Sequence, residues 1–214
     1  MPELISLMET REHRGYTIEI HRDACTPESP RDWCNLGTII AWHKNFQFSD
    51  EDAPDCASPQ DFEEWAQEEE IPFCFPLFMF EHGPIALSLA NFDDPWDSGQ
   101  VGYVYVTDSR IGDIFDGARG NFAGHGKPTE EQIYELLQAE VETLAAYANG
   151  EVYGYTVTDP EGLEIDSCWG FIGESGRWDH LTGEARDFVN RHIASKPGRW
   201  RRLVWWWQIP RQPG

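Results

Sequence analysis

Residues 129–150 hold one capped, amphipathic helix with strand-like segments on either side, and that arrangement most restricts the fold. Thr129 and Gln132 form a capping box, and Asn149-Gly150 closes the element. Ile133, Leu136, Leu137, Leu144 and Tyr147 share one face, which must be buried against another apolar surface. The flanking segments supply that surface. Residues 101–107 (VGYVYVT), 152–158 and 163–171 are rich in β-branched and aromatic residues, and the last two flank the turn Asp159-Pro160-Glu161-Gly162.

Further strands are expected at 15–21, 38–43, 76–80, 85–91 and 203–209, and a Gly-rich loop at 117–126. Ser58 and Pro59 open a short helix with Phe62, Trp65 and Ala66 as its apolar stripe, and 182–194 reads as another. Together these predict an α+β fold, a mainly antiparallel sheet packed against one long and two or three short helices. With no internal repeat and no linker, one globular domain over 1–214 is expected, carrying an acid-rich segment at 50–70 and a basic, Trp-rich segment at 186–214.

The charge is lopsided. Acids number 38 against 16 Lys and Arg, for a formal net charge of -22. Arg186, Arg191, Lys196, Arg199, Arg201, Arg202 and Arg211 against Asp187 make the last stretch +6, leaving -28 on the first 185 residues (-22 less +6). Such a field repels nucleic acid and attracts basic surfaces, so direct nucleic-acid binding is not expected despite the Trp residues among the C-terminal arginines. The scarcity of Lys beside Arg also fits a high-GC or halophilic host, although general halophilic acidity should not spare the C-terminal stretch. Five cysteines with no Cys-x-x-Cys pair, no basic n-region and no long apolar run lead to the expectation of a cytoplasmic protein with reduced thiols and no membrane span.

Two acidic features suggest a partner-binding surface. The run Asp50, Glu51, Asp52, Asp55, Asp61, Glu63, Glu64, Glu68, Glu69 and Glu70 contains no Lys or Arg. Its last three acids sit at a helix C-terminus, where they oppose the macrodipole, so local stability does not explain them. On the long helix, Glu131, Glu135 and Glu142 fall within about 40° of one another, with Glu131 and Glu135 about 6 Å apart along the axis, a phosphate-like spacing. Glu140 falls instead in the middle of the apolar face, where a carboxylate must find a partner. A C-terminal Arg or the hydroxyl of Tyr147, Tyr153 or Tyr155 is the expected one.

Enzyme chemistry has little support. Residues 93–102 crowd Asp93, Asp94 and Asp97 beside Trp96 and Gln100, but lack the Glu that closes an EF-hand loop. A turn in which Asp side chains bond backbone N–H groups is the better reading. Cys168 lies in an apolar strand, and His180 with Glu184 is not part of a His-Glu-x-x-His motif. No catalytic residues, metal ligands or cofactor are expected. An alternative pocket, for a small-molecule binder or hydrolase, would gather Trp96, Asp97, Gln100, Glu140, Asp166 and Trp169.

Residues 29–38 (SPRDWCNLGT), 95–102 (PWDSGQVG), 140–143 (EVET), 152–155 (VYGY) and 165–171 (IDSCWGF) together resemble an uncharacterised family of phage and mobile-element proteins. The segment after Phe171 and the acid-rich insert at 50–70 fall outside that pattern. The resemblance implies a phage or plasmid gene expressed in a bacterial host. By analogy, it suggests an anti-defence protein that offers an acidic surface to the nucleic-acid-binding site of a restriction or CRISPR-type nuclease.

Overall fold

The computed structural model describes residues 5–23, 28–116, 128–173 and 178–195, and it bears out the α+β expectation. Its strands are β1 (Ile5–His13), β2 (Tyr16–Asp23), β3 (Thr38–Ala41), β4 (Phe73–Glu81), β5 (Ile85–Ser88), β6 (Ser98–Val106), β7 (Val152–Thr158) and β8 (Glu164–Ile172). Its helices are α1 (Pro59–Glu68), α2 (Asp108–Ile111), α3 (Glu130–Ala148) and α4 (Asp179–Ser195). All pairings are antiparallel, but they form two sheets, β1-β2-β7-β8 and β3-β6-β4-β5. The chain divides into two compact units. The first joins Met1–Pro27 to Val152–Gly214, and the second is the continuous stretch Glu28–Glu151.

In the continuous unit the sheet is covered on both faces. Along β6 successive side chains alternate, so Val104 and Val106 point one way and Tyr103 and Tyr105 the other. Val104 and Val106 join Ile39, Leu77 and the apolar face of α3, namely Ile133, Leu137, Val141 and Leu144. Tyr105 joins Ile40 and Phe62 of α1, with Trp65 and Tyr103 packed against them. Both helices begin as the sequence predicts. Ser58 accepts from the Asp61 N–H with Pro59 in the first turn, and Thr129 and Gln132 complete a capping box.

The discontinuous unit packs α4 on one face of its sheet. Ile18, Ile20, Tyr153, Tyr155 and Val157 meet Leu181, Ala185 and Val189 in a separate core. Strand β1 is absent from the sequence reading, and α4 begins at Asp179 instead of 182. At 17 residues α4 nearly equals the 19 of α3, so two helices are long where one is expected. The expected strand at 203–209, the Gly-rich loop at 117–126, Cys25, and the arginines after Ser195 lie outside the described residues. Among the described residues, no helix is long and apolar enough to cross a membrane.

Candidate functional site

A largely buried ionic node organises the continuous unit. Pro30–Asp32 forms a 3-10 turn capped by Ser29, and the Asn35 amide donates to the carbonyls of Pro30 (2.9 Å) and Trp33 (3.1 Å). This turn aims Arg31 inward. Its Nε and Nη2 grip Asp50 at 2.8 and 2.5 Å, and Nη2 also donates to the Gly37 carbonyl at 2.7 Å. Asp50 in turn accepts from the Ile39 N–H at 2.8 Å. Glu140, from the middle of α3, accepts from the Leu36 and Gly37 N–H groups at 2.5 and 3.1 Å, with Arg31 Nη1 3.7 Å away. Arg110 of α2 closes the turn by donating from Nε to the Asn35 carbonyl at 2.7 Å. A Cβ at Gly37 would lie 2.5 Å from Leu137 and 2.6 Å from Val104, so only glycine lets the backbone come this close to α3.

Glu140 therefore faces inward, as the helix wheel requires, while its partners differ from those expected. They are two backbone amides and Arg31 instead of a C-terminal Arg or a tyrosine hydroxyl. Burial raises the Glu140 carboxyl above its ordinary 4.5, and the amides of Leu36 and Gly37 with Arg31 and Arg110 oppose that rise.

A cleft of about 820 Å³ opens beside the node, lined by Trp33, Phe46, Tyr105, Arg110, Glu51 and Asp52 among others. Both guanidiniums in its wall are bonded to protein acceptors. The cleft therefore presents exposed carboxylates and aromatic surface to a ligand, a combination that suits a cation. Sequence reasoning missed this cleft, because the residues that form it come from four separate segments.

The structure sorts the acid-rich segment into two kinds of residue. Asp50 is structural, with its side chain only 11 % exposed and bound to Arg31, which corrects its assignment to a partner-binding surface. Glu51, Asp52, Asp55, Asp61, Glu63, Glu64, Glu68, Glu69 and Glu70 are exposed, and Glu63 also accepts from the Tyr103 hydroxyl. Among the described residues no Lys or Arg pairs with any of these exposed acids. Their field reaches neighbouring thiols. Burial, then Asp61 and Asp55, raise Cys56 above its ordinary 9.0, and burial with Glu63 pushes Cys74 up to about 11. Both thiols stay protonated at neutral pH and are poor nucleophiles.

On α3, Glu131, Glu135 and Glu142 are exposed as expected, with Glu142 accepting from Gln138 at 2.7 Å. Because α1 and α3 cover opposite faces of one sheet, the two acidic groups point to opposite sides of the unit. They do not merge into one surface.

The residues of the alternative pocket are dispersed. Trp96 is 90 % exposed on a turn where Asp94 accepts from the Trp96 and Asp97 N–H groups, the backbone-bonding turn expected there. Asp97 pairs with His82 at 2.8 Å, and exposed Gln100 donates to the Gly102 carbonyl at 3.2 Å. Glu140 belongs to the Arg31 node. Asp166, which accepts from the Tyr155 hydroxyl at 3.3 Å, and Trp169 lie on β8 of the other unit. His180 and Glu184 form an exposed pair at 3.7 Å on α4.

Comparison with known proteins finds no matching family model, no matching curated protein and no matching solved structure.

Proposed function

We propose that this chain is a non-enzymatic inhibitor whose acidic α1 surface occupies the nucleic-acid-binding site of a basic protein. The setting suggested by the resemblance is a phage-encoded anti-defence protein in the cytoplasm of a bacterial host, acting on a restriction or CRISPR-type nuclease. The observation that supports this reading is the set of exposed acids on and before α1 with no cationic partner among the described residues. Asp61, Glu64 and Glu68 form a stripe on α1, about 4.5 and 6 Å apart along the axis by the helical rise. Their mutual repulsion does nothing for the fold, whereas a basic groove would relieve it. The opposed direction of α3 narrows the contact to α1 and leaves Glu131, Glu135 and Glu142 outside it.

The expected result is that the protein competes with DNA for its target and that the competition weakens steeply toward 0.15 M salt, where the screening length is about 8 Å. Reversing charge at Asp61, Glu64, Glu68 and Glu69 together should abolish target binding. Thermal unfolding should barely change, because exposed charges contribute roughly 0–1 kcal/mol each. Glu63 is left in place for its bond to Tyr103. Binding that survives this variant, or that is flat with salt, contradicts the proposal. A second reading, small-molecule binding, draws on the cleft beside Arg31. It predicts that Glu51→Gln with Asp52→Asn removes activity while the α1 variant keeps it.

A further inference from the structure

Among the described residues, the discontinuous unit covers one face of its sheet with α4 and presents a patterned opposite face. Pairing registers define its rows. Leu7, His21, Gly154 and Trp169 lie side by side across β1, β2, β7 and β8. The next row is Thr10, Glu19, Thr156 and Ser167. Rows on one face of a sheet are about 6.8 Å apart, two residues of strand rise. One row is thus aromatic and apolar, and its neighbour carries hydroxyls and a carboxylate.

The first row is built around a close approach. A Cβ at Gly154 would sit 2.2 Å from the Trp169 ring, so the indole lies down on the glycine. Gly170, at φ 88°, takes up the register shift between β7 and β8 immediately after Trp169. His21 stands beside the indole with ring centroids 5.8 Å apart, and its Nε2 lies 3.4 Å from the Thr156 hydroxyl. Covering a bare glycine accounts for the ring lying flat. It does not account for the exposure of Trp169 at 37 % and Leu7 at 53 % beside a row of hydroxyl groups.

We propose that this sheet face is a binding platform for a neutral oligosaccharide. A pyranose ring would stack its C–H face on Trp169 while its hydroxyls meet Glu19, Thr156 and Ser167. The occupant follows from charge. None of the residues in these rows is Lys or Arg, and Glu19 lies among them with Glu12 in the row beyond. A sheet that stacks nucleotides needs cations for their phosphates, and this one offers carboxylates. The platform is independent of the acidic α1 surface and stands or falls separately.

The test is a titration of the whole, isotope-labelled chain with cellotetraose, maltotetraose and triacetylchitotriose, followed by NMR. At least one saccharide should produce saturable shifts of the Trp169 indole N–H and of the Glu19, His21, Thr156 and Ser167 amides, with Kd on the order of 1 mM. Trp169→Phe, which keeps a ring over Gly154, should bind several-fold more weakly with an unchanged spectrum elsewhere. Absence of saturable shifts with all three saccharides overturns the assignment. So does a response of the same residues to oligothymidylate in place of the sugars. The wild-type shift map is decisive even if a Trp169 variant fails to fold.

Discussion

Arg31→Ala should destabilise the continuous unit by about 3–5 kcal/mol, the range measured when one member of a buried ion pair is removed. Arg31 and Asp50 have side chains only 12 and 11 % exposed, so deleting the guanidinium strands a carboxylate in a site with little access to water. It also removes the donor to the Gly37 carbonyl and the positive charge facing Glu140. Arg31→Lys should recover only part of the loss, because a point charge cannot reproduce the two-pronged grip on Asp50. Urea unfolding of the two variants with Arg31→Met/Asp50→Leu provides the check. The double variant should be more stable than Arg31→Ala, since it no longer strands the Asp50 carboxylate. Equal stability of wild type and Arg31→Ala would show that the node does not hold the unit together.

Glu140→Ala should cost about 2–4 kcal/mol, because two backbone N–H groups lose their acceptor and Arg31 loses a neighbouring charge. Glu142→Ala, two residues along the same helix, gives up one exposed bond to Gln138 and should stay within roughly 0.5 kcal/mol of wild type. The pH dependence has a definite sign. The folded chain holds the Glu140 proton more tightly than the unfolded chain does, since burial raises its carboxyl above 4.5. The contribution of Glu140 is then complete below about pH 4.5 and shrinks as pH rises through the folded value. The stability gap between wild type and Glu140→Ala should therefore be narrower at pH 7 than at pH 4.5. A gap that widens with pH would mean that the amides and Arg31 outweigh burial.

What could be read from the sequence was local. The α3 caps, the Ser58-Pro59 start of α1 and the turn between β7 and β8 are each specified within a few residues, and all are present. The inward register of Glu140 followed from helical periodicity alone. Its partners did not, because backbone N–H groups carry no residue signature and Arg31 lies more than a hundred positions away. Asp50 shows the same limit from the other side. It sits in an acidic run that reads as surface, and only the fold brings Arg31 to it. Strand β1 escaped because its α4-facing positions are Glu9, Arg11 and His13, which bond polar groups in place of packing apolar ones. Arg11 donates to Thr182 at 3.0 Å and His13 meets Asn190 at 3.1 Å. The Trp169–Gly154 stack joins two hairpin strands at a shifted register, which neither strand reveals alone.

The order in which the chain is made bears on how the two units form. The unit built from both ends needs β2 to pair with β7, and residues 24–151 must be synthesised before β7 begins. At roughly 5–20 residues per second that interval is on the order of 10 s. The continuous unit can close on itself as soon as α3 has emerged, since its strands and helices all lie within Glu28–Glu151. The β1–β2 hairpin cannot, because two strands alone are marginal in water. Tyr16, Ile18 and Ile20 then wait uncovered on the nascent chain until β7 and α4 arrive. Arrested chains in which residue 151 has just cleared the ribosome should accordingly show a protease-resistant middle and a cleavable N-terminal hairpin, and the interval is one in which a chaperone would have a surface to hold.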